Sequence, residues 1–166
     1  MMKRRFLIQA LASLAGASAL PPSLMAQTKP LVEVWKDPDC GCCQDWISHL
    51  EANGFRVKVQ GSGNTAARAR LGVPDKLGSC HTAQVGGYAL EGHVPARDIH
   101  QILKERPKAI GLAVPGMPVG SPGMDGPAYG GRKDPYDVLL VLADGNSRIY
   151  QSYPSSQLQA PKKKSS

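Results

Sequence analysis

The chain is expected to form a single α/β domain: a central mixed sheet, flanking helices and one long Gly/Pro-rich loop. Three observations predict this. Its 166 residues suit one domain. Residues 31–59 read as strand, helix, strand. Further apolar strand patterns follow at 82–91 and 138–150, separated by residues 107–135, where six Pro and seven Gly fall within 29 positions. Hydrophobic residues make up 42% and charged ones 20%, enough to bury a core, and aromatics are only 5%, so that core must be mostly aliphatic.

The elements follow in order. Residues 1–26 read as a secretory signal peptide: Lys3, Arg4 and Arg5 precede an apolar stretch from Phe6 to Ala15, small residues follow, and Pro21-Pro22 ends any helix. The apolar stretch is too short to span a membrane. Cleavage is expected after Ala26, with Ala19 as the alternative, and the Sec route is preferred to the twin-arginine route that Arg4-Arg5 would permit. The mature protein is therefore expected to be periplasmic, without a membrane span. Residues 31–153 are expected to be the folded domain, and 154–166 a flexible basic tail ending in Lys162-Lys163-Lys164. The two ends hold most of the net charge of +7; without those six basic residues, 14 basic side chains face 13 acidic ones. No nucleic-acid footprint is expected on such a body.

Leu31–Trp35 alternates as a strand, Asp37-Pro38-Asp39 turns the chain, and a helix is expected from Gln44 with Trp46, Ile47 and Leu50 on one face. Gly54 stops that helix, and Phe55, Val57 and Val59 alternate as a half-buried strand. A short helix is expected at 65–71. Gly86-Gly87 joins the strands Thr82–Val85 and Tyr88–Glu91 as a two-residue hairpin. A helix at 96–106 turns Ile99, Ile102 and Leu103 inward until Pro107 ends it. Val138–Leu142 reads as a buried strand, returned by Asp144-Gly145 into Ser147–Tyr150.

The chemistry concentrates in the cysteines. Cys40, Cys42 and Cys43 lie at a predicted helix start, where the helix dipole and free N–H groups favour thiolate. One reading takes Cys40 and Cys43 as a C-x-x-C redox pair, with Cys40 attacking and Cys43 resolving. Another gathers all three with Cys80 around a soft metal. Two structural disulfides are a third reading for an exported protein. It would require adjacent Cys42 and Cys43 to send one partner to Cys80 and the other to Cys40. Met117 and Met124, the methionines remaining after signal removal, both lie in the Gly/Pro loop. Thioether sulfur suits Cu(I) and is a rare choice for zinc. Met117 reads equally as ligand or packing plug, and Met124 rather as a plug. His81, next to Cys80, and His93, in Gly92-His93-Val94-Pro95, are the candidate imidazole ligands, whereas His49 and His100 read as ordinary surface residues.

Four motifs then match a known pattern: Asp37-Pro38-Asp39-Cys40-Gly41-Cys42-Cys43 with Trp46; Gly78-Ser79-Cys80-His81-Thr82; Glu91-Gly92-His93-Val94-Pro95-Ala96; and Gly111-Leu112-Ala113-Val114-Pro115-Gly116-Met117-Pro118-Val119-Gly120-Ser121-Pro122-Gly123-Met124. Together they resemble the CopG-type family, small exported bacterial proteins associated with copper resistance. The resemblance implies a thioredoxin-like fold and a multinuclear copper site bridged by Cys40, Cys42, Cys43 and Cys80, with several Cu(I) ions per chain. It also implies interconversion of Cu(I) and Cu(II), with copper ions and other periplasmic copper-handling proteins as partners. A thiol–disulfide oxidoreductase using Cys40 and Cys43, or a copper metallochaperone, is the alternative function.

Overall fold

The computed structural model describes residues 29–155. The signal-peptide expectation at 1–26 and residues 156–166 of the expected tail lie outside them. Seven strands form one mixed sheet in the order β2-β1-β3-β4-β5-β6-β7. These are β1 (Leu31–Lys36), β2 (Arg56–Gln60), β3 (His81–Val85), β4 (Tyr88–Glu91), β5 (Gly111–Ala113), β6 (Tyr136–Val141) and β7 (Ser147–Tyr153). The helices are α1 (Gly41–Ala52), α2 (Thr65–Arg70) and α3 (Ala96–Glu105). The α/β class and mixed sheet expected from the sequence are what the fold shows. Among the described residues, no helix is long and apolar enough to cross a membrane.

The β1–α1–β2 unit is a parallel crossover, with Val32 beside Val57 and Val34 beside Val59. β2 is an edge strand, so Val59 stays exposed although its alternation suggested partial burial. The β3–β4 hairpin turns at Gly86 and Gly87, both at positive φ (55° and 91°), as a tight two-residue loop requires. The central strands are buried on both faces. Val32, Val34, Ala83, Leu90, Leu112 and Leu140 meet Trp46, Ile47 and Leu50 of α1 and Ile99 and Ile102 of α3. Residues one position out of phase, Ala89, Ala113 and Val141, meet Val73 and Leu77 on the opposite face.

Three expectations are corrected. The first helix begins at Gly41 rather than Gln44, which puts Cys42 and Cys43 in its first turn and Cys40 at its N-cap. The long loop is not structureless, because Gly111–Ala113 forms β5, parallel to β4 and antiparallel to β6. Three residues are too few to show a period; only the two flanking strands make this segment a strand. The last strand also runs to Tyr153, three residues beyond its predicted end. Tyr153 stacks on Tyr136 and donates its hydroxyl to Asp98 Oδ2 at 2.8 Å.

Candidate metal centre

The cysteine turn is delivered by a buried lysine. At the end of β1, Lys36 Nζ donates to the carbonyls of Asp37 (2.7 Å) and Pro38 (3.1 Å), and Cys40 N–H donates to Asp37 O (3.2 Å). This closes the Asp37-Pro38-Asp39 turn and sets Cys40 at the positive end of α1. Cys40 and Cys43 are joined by a disulfide, while Cys42 and Cys80 are free. Cys43 pairs with Cys40, one of the pairings weighed from sequence, but no second disulfide closes between Cys42 and Cys80.

Cys80 immediately precedes β3. The segment around it is held by Glu91, which is fully buried and accepts from Ser79 N–H (2.6 Å), Thr82 Oγ1 (2.6 Å) and Arg68 Nε (3.0 Å). Arg68 Nη2 pairs with the same carboxylate at 3.0 Å and also donates to Ser79 O at 2.8 Å, where Asn64 Nδ2 joins at 3.0 Å. Ser79 Oγ donates to Gly116 O, tying this segment to the Gly/Pro loop. All four cysteine sulfurs lie within 4.8 Å of one another. Burial, together with neighbouring Cys42, pushes the Cys80 thiol up to about 12, against the Ser79 hydrogen bond. A thiolate here is stabilised when a cation binds.

Two imidazoles border Cys80. His93 Nε2 is 3.1 Å from Cys80 Sγ, and its Nδ1 is 2.7 Å from Pro122 O. A carbonyl only accepts, so Nδ1 carries the proton and the Nε2 lone pair faces the sulfur, as for a histidine prepared for ligation. His81 Nδ1 is 3.3 Å from the same sulfur. Its ring lies 4.2 Å from Trp46 and edge-on to His93, and its Nε2 is buried without a partner. Burial lowers the pKa of both imidazoles, His81 to about 3 with a further push from His93; at His93, Pro122 O and Asp125 oppose the shift. Both are therefore neutral at pH 7, with lone pairs available.

The Gly/Pro loop covers the pocket. Gly123 packs so tightly on α1 that a Cβ there would stand 2.7 Å from Cys42 O and 2.8 Å from Trp46 N, at a φ of +85°. Met117 Sδ lies 4.0 Å from Cys42 Sγ and the residue is 50% exposed. Met124 is buried and accepts Tyr129 OH at 3.2 Å through its sulfur, as a packed residue would. Thus the four cysteine sulfurs converge, His81 and His93 lie against Cys80, Met117 lies against Cys42, and the sulfur contact of Met124 is with Tyr129.

A family model described as protein of unknown function DUF411 matches residues 77–124. Two solved structures, described as copper resistance protein CopG, Form 2 and Form 1, are each 48% identical to this chain with a TM-score of 0.69. Each match covers 75% of this chain, and 98% and 97% of the respective solved chains.

This chain belongs to the CopG-type copper-resistance family.

Among curated proteins, no relative matches it. In this CopG-family chain, the donor set of thiols and neutral imidazoles fits a soft ion, which supports a copper-related role.

Several residues that shape the site escaped the sequence reading. Glu91 and Arg68 gave one weak signal, a carboxylate ending the otherwise apolar strand Tyr88–Glu91. Lys36 falls just beyond the predicted strand Leu31–Trp35 and carried no signal, and the Pro122 carbonyl left no trace in the pattern. His49 corrects its reading as an ordinary surface residue: its Nε2 accepts Ala96 N–H at 3.1 Å, capping α3 just after His93. His100 is exposed, as expected, and stacks on Phe55.

Proposed function

We propose that this chain is an exported, periplasmic copper-binding protein of copper resistance. It would hold several Cu(I) ions in a cluster bridged by Cys40, Cys42, Cys43 and Cys80 and interconvert Cu(I) and Cu(II). The observation that carries this reading is the convergence of four cysteine sulfurs within 4.8 Å at a helix N-terminus. A bridging thiolate donates to two ions, so four thiolates serve more metal–sulfur bonds than one ion uses. Met117, His93 and His81 are the proposed completing ligands. Met124 is retained as an outer thioether, reachable only if Tyr129 releases it. The strand–helix entry with cysteines at the junction supports the thioredoxin-like reading. The basic and apolar segments of residues 1–15 support export.

Anaerobic Cu(I) titration of the fully reduced mature protein, with metal analysis, tests the reading. Several ions per chain are expected; a single ion would instead favour a metallochaperone. The Cys40–Cys43 disulfide favours one second reading, a thiol–disulfide oxidoreductase. Against it stands Cys42, whose sulfur is 3.7 Å from Cys40 Sγ and would compete for a mixed disulfide. Cys42→Ser separates the two: an oxidoreductase would keep or gain insulin-reducing activity, and a bridged cluster would lose copper stoichiometry.

A further inference from the structure

Resting on the copper-binding reading, we propose that the disulfide form of this protein keeps a distinct one-copper site. Cys80 Sγ, His93 Nε2 and Cys42 Sγ would form it, with the Met117 thioether at its outer edge.

With Cys40 and Cys43 bonded to each other, their sulfurs are no longer thiolates, and only thiolates are strong soft ligands. The remaining donors are not dispersed. Cys42 and Cys80 stay free and within 4.8 Å of each other. Cys80 Sγ stands 3.1 Å from His93 Nε2, and Cys42 Sγ stands 4.0 Å from Met117 Sδ. Ligand atoms bound to one ion at roughly 2.0–2.3 Å are about 3.3–4.6 Å apart, a range these separations need only small adjustments to meet.

The imidazole is already committed. Pro122 O fixes the proton on His93 Nδ1, so Nε2 presents its lone pair in the apo protein with no tautomer change on binding. Pro122 lies in the loop that Gly123 clamps onto α1, and forming the disulfide leaves that clamp in place. Two thiolates, one imidazole and one thioether are four soft or borderline donors, the number that fills one tetrahedral coordination sphere. The disulfide would therefore change the capacity of the pocket from several ions to one, without emptying it.

The test uses wild-type protein with the Cys40–Cys43 disulfide intact, confirmed by two titratable thiols per chain. Cu(I) is delivered anaerobically against a chromophoric Cu(I) chelator. One ion per chain is expected, and the Cys40→Ser/Cys43→Ser variant, which lacks the same two thiols permanently, should reproduce it. His93→Gln in that variant should weaken Cu(I) binding at least tenfold. Because His93 is buried and its substitution can disturb folding, X-ray absorption on the copper-loaded wild-type disulfide form provides the second measurement: a mixed nitrogen–sulfur sphere with no copper–copper scattering is expected. A disulfide form that binds no Cu(I), or a sulfur-only sphere, overturns the proposal. If the reduced protein binds several ions and the disulfide form none, this inference alone fails. If neither form binds copper, the copper-binding reading fails with it.

Discussion

Replacing Glu91 with leucine removes one carboxylate from beneath the cysteine pocket and strands the groups that depend on it. Glu91 is fully buried, and its two oxygens accept from Ser79 N–H, Thr82 Oγ1 and the guanidinium of Arg68. Burial raises its pKa while the Thr82, Ser79 and Arg68 hydrogen bonds and the Arg68 charge pull against that shift. Arg68 is only 14% exposed, so water cannot fully replace the lost partner. Breaking a buried ion pair on one side costs about 3–5 kcal/mol, and the orphaned Ser79 amide adds to it. For a domain of this size, that corresponds to roughly 10–20 °C in Tm. The assay is urea unfolding of the reduced apo-protein, read beside copper stoichiometry. Glu91→Leu should lower both, because the Ser79-Cys80 segment loses its anchor. Adding Arg68→Met should recover part of the stability by removing the unpaired charge, and not all of it, since Ser79 O also loses a donor. A cost below about 1 kcal/mol for Glu91→Leu would refute the reasoning, and so would a double variant less stable than the single one.

Three further outcomes are expected. Met117→Leu keeps bulk and deletes sulfur at a half-exposed position; Cu(I) affinity measured by chelator competition should fall, while apo-protein stability changes by less than about 0.5 kcal/mol. Gly123→Ala should cost about 1–3 kcal/mol in thermal unfolding and reduce copper stoichiometry, because its Cβ would push the loop off Cys42 and Trp46. The third concerns pH. Burial lowers the pKa of His49 below 6.5, with Asp125 opposing, so the unfolded chain takes up this proton more readily than the folded one. Its contribution to stability is complete above pH 6.5 and is lost as pH falls toward the folded pKa, because protonation removes the acceptor of Ala96 N–H. Urea midpoints between pH 5 and 7 should rise with pH, and His49→Gln should flatten that slope; an unchanged slope would exclude His49 as its source.

The local pattern of the chain was enough for most strands and helices and for the residues that carry the chemistry. Alternation at 31–35 and 82–91, the helical spacing of Trp46, Ile47 and Leu50, and the hairpin glycines are short-range signals, and they survive in the fold because packing agrees with them. The crowding of Cys40, Cys42 and Cys43 at a helix start was likewise visible, as was the oddity of methionine in a Gly/Pro loop. Contacts between distant segments were not. Gly111–Ala113 becomes a strand only because β4 and β6 lie on either side of it. Which methionine reaches the sulfur group depends on how Gly123 seats the loop against α1, placing Met117 beside Cys42 and giving Met124 to Tyr129. Thiol and imidazole have the same formula anywhere in a chain, so sequence could nominate His81 and His93. The proton on His93 Nδ1, the lone pair facing Cys80 and the Glu91–Arg68 pair beneath it exist only where tertiary packing excludes water and brings a carbonyl, a sulfur and a carboxylate within hydrogen-bonding reach.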